Sequence, residues 1–185
     1  MIDLEGELNT AGDAGEAFAI LRDLGADVSA LVGDPIYGAI GLSKIRPSAE
    51  GLYDPTEGPG RAAILLGVRD PDDGEIIDIV AFDPERPSKF WRRTGAAPFL
   101  GWECVDRAGH YGEPLTLFPD PLAWLRGGCA GAVWLDTDRS LSFWLATVPT
   151  IHATTPALGR AIDRRLKDEW RMHGPRVLVP MREAA

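Results

Sequence analysis

Residues 62–68 and 75–82 are two β-prone runs joined by Arg69-Asp70-Pro71-Asp72-Asp73-Gly74, whose proline, aspartates and glycine supply turn geometry. This pattern predicts a β-hairpin, so any fold for the chain must contain antiparallel sheet. Helical periodicity lies on both sides of it. Upstream, Ala17, Leu21 and Leu24 share one helical face behind Asp13, with Phe18 beside them and Gly25 placed to end the helix. Downstream, Thr155-Pro156 opens a helix running to about Met172, in which Leu158, Ile162, Leu166 and Trp170 recur every four residues and predict a core-facing stripe.

Between these signals, residues 115–118 read as a short buried strand. Asp120 and Pro121 start a short helix through Leu125, Gly127-Gly128 closes it, and residues 132–135 form the next strand. That order predicts a strand–helix–strand crossover, right-handed if the strands are parallel. Residues 141–148 read as a further strand, and 177–179 as a last edge strand limited by Pro175 and Pro180. Residues 33–60 are rich in Gly and Pro and predict a long, partly ordered connection, although 36–42 are apolar enough to pack. The expected fold is mixed α/β, of the α+β class: one compact domain over residues 1–185, with an acidic helical part (1–60) and a sheet-containing core (61–185). It carries a β-hairpin, a strand–helix–strand unit and a long C-terminal helix. A chain of 185 residues can bury one such core.

Composition narrows the function classes. With 45% hydrophobic and 25% charged residues, the chain has the makeup of a folded globular protein. The opening MIDLEGELNT lacks the basic start and apolar run of an export signal. No apolar run approaches the roughly 18 residues that span a bilayer, so a cytoplasmic protein without a membrane segment is expected. The two cysteines, Cys104 and Cys129, make no disulfide framework, and His110, His152 and His173 have no zinc-ligand spacing. The net charge of −9 is unevenly spread: residues 1–83 carry 17 acids against 5 bases, and residues 84–185 carry 11 acids against 14 bases. An anionic ligand would meet the second part.

Two constellations can carry chemistry. Asp120 follows one strand of the crossover, and Asp136 and Asp138 follow the next. Ligands gather outside the carboxyl ends of strands in open α/β sheets, and carboxylates there can bind magnesium, the one possible cofactor. The plainer reading makes Asp120 a helix cap and the other two turn residues. The second constellation is basic and aromatic. Residues 83–93 read as a Pro-interrupted loop bearing Lys89, Trp91, Arg92 and Arg93, while Arg160, Arg164, Lys167 and Arg171 form a stripe on the outer face of the last helix. Cations along a backbone with Trp91 or Trp102 beneath the bases would suit single-stranded nucleic acid. The plainer reading is a solvated helix face and core aromatics.

The order of segments also carries a resemblance. Residues 62–70, Asp73-Gly74, 76–82, Lys89 and Leu100-Gly101, followed by the strand 115–118, the helix 121–125 and the strand 132–135, resemble the Toprim-type primases of phages and plasmids. In that family a glutamate-glycine pair ends the first core strand, an aspartate pair one residue apart ends a later one, and together they bind magnesium. This chain has Phe118-Pro119-Asp120 where the glutamate-glycine pair falls. Asp136-Thr137-Asp138 has the form of the aspartate pair, one strand-helix unit early. Two cysteines cannot supply the family's zinc ribbon. The resemblance implies a shortened, non-catalytic relative of the kind carried by mobile elements, with single-stranded nucleic acid or a replication protein as partner. Two alternatives stand beside it: metal-dependent phosphoryl transfer at Asp120, Asp136 and Asp138, and a protein-interaction module using the acidic first part.

Overall fold

The computed structural model describes residues 2–12, 14–31, 40–136, 139–169 and the backbone of 176–178. Two short helices, α1 (Leu4–Thr10) and α2 (Ala14–Asp23), precede five strands: β1 (Ile40–Pro47), β2 (Tyr53–Pro55), β3 (Arg61–Arg69), β4 (Ile76–Asp83) and β5 (Arg86–Arg92). There follow β6 (Phe99–Leu100), α3 (Trp102–Tyr111), β7 (Leu115–Phe118), α4 (Pro121–Arg126), β8 (Ala132–Trp134), α5 (Leu141–Trp144), β9 (Thr150–Ala153), α6 (Pro156–Glu169) and β10 (Arg176–Leu178). The chain is mixed α+β.

The hairpin is the centre of the first sheet. β3 and β4 pair antiparallel with Ile64 opposite Phe82, in a sheet of order β2-β1-β3-β4-β5. Its turn chemistry is as expected: Asp70 and Asp73 accept the N–H groups of Asp72 and Glu75, and Gly74 takes the left-handed φ of +76° that a side chain would strain. Alternation then sorts the side chains. Ile64, Leu66, Val68, Val80 and Phe82 enter a central core with α2 and α4, whereas Ala63, Leu65, Ile79 and Ala81 meet Leu4 and Leu8 of α1 on the other face.

The second sheet has the order β10-β9-β7-β8-β6, parallel except for β6. The expected strand–helix–strand unit is β7-α4-β8, with Phe118 in register with Val133. Gly131 makes the return possible: a Cβ there would strike the carbonyl oxygen of Thr116 on β7. One face of this sheet adds Leu100, Phe118 and Val133 to the central core, and the other packs Leu117, Ala132 and Ile151 against α3, α5 and α6.

Several expectations give way to the structure. Residues 33–60 are not only a connection, because β1 and β2 within them complete the first sheet; β1 pairs along most of β3. Residues 141–148 are not a strand. Ser140 caps a turn of helix, and Leu141, Leu145 and Val148 are buried at helical spacing while Phe143 points out, 71% exposed. The strand comes later, as β9, which runs parallel to β7. Residues 83–93 are not a loop either, since β5 continues the first sheet as its edge. In α6, Ile162 and Leu166 are buried and Leu158 half-buried, as the four-residue spacing predicts. Asp13, part of the 36–42 run, Trp170 through Pro175, Val179 and Pro180 lie outside the described residues. Among those described, no helix is long and apolar enough to cross a membrane.

Candidate functional site

The parallel pairing of β7 and β8 sets Asp120 and Asp136 at one edge of the second sheet, each two residues past its strand. Their carboxylates are engaged there in different ways. Asp120 accepts the N–H of Ala123 at 2.8 Å and caps α4, satisfying one of the amides that a helix start leaves without a partner. Asp136 is buried. It lies 3.2 Å from Arg92 of β5 and 3.1 Å from the side chain of Arg139, and it accepts the Arg139 N–H at 3.2 Å. Two guanidinium groups on one carboxylate oxygen answer the charge that a magnesium ion would need. Among the described residues no group of three or more His, Cys, Asp or Glu is placed to hold a metal, and Asp138 lies outside them. The described donors do not fit magnesium. The next parallel strand, β9, is followed by Thr154 and Thr155, and the Thr154 hydroxyl is turned back onto the Leu117 carbonyl at 3.2 Å.

What this edge forms is a polar joint between the sheets. Arg92 comes from the first and Asp136 from the second. Arg139 extends the link by donating to the carbonyls of Ala96 (3.2 Å) and Gly95 (3.4 Å). Arg165 of α6 donates to the Arg139 carbonyl at 3.1 Å and pairs with Glu169 one turn on, at i,i+4 spacing. Glu169 in turn accepts the Ser142 N–H (2.8 Å) and the Ser140 hydroxyl (3.0 Å), holding the start of α5. Burial works against its ionisation. The N–H groups of Ser142 and Leu141 and the hydroxyls of Ser140 and Ser142 outweigh that and bring its pKa down to about 2.

A second buried carboxylate shapes the approach to β6. Asp78 is fully buried and accepts the N–H groups of Ile79 (2.8 Å), Arg93 (3.0 Å), Thr94 (2.9 Å) and Ala97 (3.2 Å). It ties the crossing from one sheet to the other to β4.

The basic-aromatic segment is divided by the strand it belongs to. Arg92 faces the joint. Trp91 lies opposite Ala81 and packs with the cluster that holds α1. Arg93 is also committed: it pairs with Glu7 of α1 at 2.8 Å and Asp54 at 3.1 Å, donates to the Tyr53 carbonyl and sits 5.8 Å over the Tyr53 ring. Its charge is favoured by those partners in spite of burial. Burial and the neighbouring Glu7 charge push the Tyr53 hydroxyl far above its ordinary pKa, so it stays a neutral donor to Glu7.

Around Trp91 the cations that reach the surface include Lys89, which is exposed, and two that the sequence pattern does not single out. Arg61, at the start of β3, stands with its guanidinium 5.8 Å above the half-buried Trp91 ring. Arg86, at the start of β5, is 53% exposed. Both pair with buried Asp83, and their charges, the Arg61 hydrogen bond and the Glu85 N–H overcome its desolvation to hold that carboxyl below its usual pKa. The antiparallel register brings Arg61 near β5; its only sequence signal is a lone arginine after Gly58-Pro59-Gly60. A shallow cavity of about 370 Å³ opens between Arg61 and Arg86.

The helical stripe stands apart from this patch. Arg160, Arg164 and Lys167 are exposed on α6, with Lys167 paired to Asp163 at 2.7 Å, and Arg171 lies outside the described residues. The principal neighbours of α6 are α5, β9 and β10, none of them in the first sheet.

No protein-family model matches the sequence, and neither does any curated protein. Among solved structures, the chain is similar to the Aquifex aeolicus primase, in a crystal structure of its zinc-binding and RNA polymerase domains. The TM-score is 0.50 at 16% identity, covering 82% of this chain. The match spans 47% of the Aquifex chain, about half its length. The fold is therefore primase-like.

Proposed function

We propose that the protein is a non-catalytic accessory factor in nucleic-acid transactions that contacts single-stranded nucleic acid through Arg61, Arg86, Lys89 and Trp91. The observation that carries this reading is the open cationic surface around a half-buried indole on one strand edge, with Arg61 over the ring, Lys89 exposed, and Arg86 half-exposed although it also pairs with Asp83. Phosphate contacts supply affinity and an aromatic platform accepts any base, so such a surface binds without strong sequence preference. The primase-like fold and the Toprim-type resemblance of the sequence support the same field of action. The non-catalytic part rests on the carboxylates at the sheet edge, where Asp120 caps a helix and Asp136 answers two arginines. A Toprim-type ancestry with its acidic site converted to a structural joint accounts for both.

Fluorescence anisotropy with labelled single-stranded oligonucleotides across a salt series tests the reading. Affinity should fall steeply with salt, and Arg86→Glu with Lys89→Glu should weaken it by about tenfold or more at low salt. Binding indifferent to salt and to both substitutions would sink it. Arg92 and Arg93 are the wrong targets, because replacing them breaks the fold's own ion pairs.

A further inference from the structure

A second aromatic surface carries the opposite charge. Where α3 meets the end of α5, an open pocket of about 510 Å³ is lined by Trp102, Asp106 and His110 of α3, Trp144 of α5, Thr147 after it, and Asp72 from the β3–β4 turn. That volume lies within the range of ligand-sized pockets. Trp102 and Trp144 meet edge to face, ring centroids 5.2 Å apart and planes at 88°, so they form a corner rather than a closed stack. Both rings are only partly buried. The carboxylates of Asp72 and Asp106 are exposed at the rim, and among the described residues neither has an ion-pair partner.

We infer that this pocket docks a basic segment of a partner protein, receiving an arginine or lysine side chain against the indoles with its charge answered by Asp72 and Asp106. Indole faces attract cations, and nearby carboxylates add to that attraction. The lining holds no lysine or arginine, so a phosphate would be repelled and nucleic acid does not fit here. A segment of protein fits better than a lone small cation because the aromatic strip continues outward. Phe143, 71% exposed, stacks edge-on against Trp144 at 5.1 Å and offers an apolar ledge for a residue beside the cationic one. This inference does not depend on the nucleic-acid reading.

The test is anisotropy of a fluorescein-labelled decapeptide alternating arginine and leucine, titrated with the full chain. Asp72→Asn with Asp106→Asn should weaken binding about tenfold, and Phe143→Ser about threefold. All three positions are exposed, so the fold is kept. Glu50→Gln with Glu57→Gln removes the same charge elsewhere and should leave affinity unchanged. An equal loss in that control would reduce the binding to general attraction by an acidic chain and overturn the inference. It is overturned too if a glutamate–leucine peptide binds as well, or if capped free arginine displaces the labelled peptide at concentrations as low as unlabelled peptide requires.

Discussion

The two faces of β5 treat the same kind of residue in opposite ways. Arg92, 12% exposed, points into the joint between the sheets and is matched to Asp136, whereas Lys89 and Arg86, on the same strand, meet solvent. Arg93 shows that the solvent-side run is itself divided, because α1 folds down on it with Glu7. A basic run in a sequence is therefore not a basic surface. Each cation becomes structural or available according to which layer covers its face. The tryptophans repeat the point: Trp91 already has Arg61 above it, while Trp102 and Trp144 stand beside exposed carboxylates.

The comparison can be broken most sharply at the joint. Asp136→Ala leaves Arg92 buried with its counter-charge removed and should cost about 3–5 kcal/mol, read as a lower denaturant midpoint. A loss below about 1 kcal/mol would mean the joint is no more than a surface pair. Arg93→Ala should cost less, about 1–2 kcal/mol, and should speed hydrogen exchange in α1, whose side of the pair it removes. Acid acts through Glu169. Its folded pKa of about 2 lies below its ordinary value of 4.5, so the stability it contributes is present above pH 4.5 and is lost as pH falls toward 2. Glu169→Gln should flatten that part of the pH-stability profile, and an unchanged profile would remove Glu169 from the joint. Lys89→Glu, at an exposed cation with no ion pair among the described residues, should have the smallest effect on stability, within about 0.5 kcal/mol, while weakening oligonucleotide binding. If that variant instead unfolds, the outer cation is structural and the contrast between the faces of β5 fails.

Much of this fold was legible in short stretches of sequence. Turn chemistry around Asp70 and Gly74 marked the hairpin, Asp120-Pro121 and Gly127-Gly128 bounded α4, and four-residue spacing marked α6. The Leu141 segment was misread although its signal was present: Leu141, Leu145 and Val148 follow a helical period, but the run is too short for an apolar stretch to declare its period unaided. β1 was hidden for a different reason. Lys44 and Arg46 break the apolar run on either side of the fully buried Ile45, and its strand character comes from pairing with β3. At the candidate site, Lys89 and Trp91 were named from the sequence, and Arg61 was not, because register across the first sheet brings it to them.

The sequence by itself determined where the chain turns, which helices present an apolar stripe, and that its bases gather in the second part. Only the tertiary structure decided which charges are spent within the fold. Arg92 and Asp136 are 44 residues apart, Glu7 and Arg93 are 86 apart, and no local period connects them. Strand alternation fixes that neighbouring side chains part to opposite faces; which face is then covered depends on the layer that packs there, and that is a property of the assembled sheets.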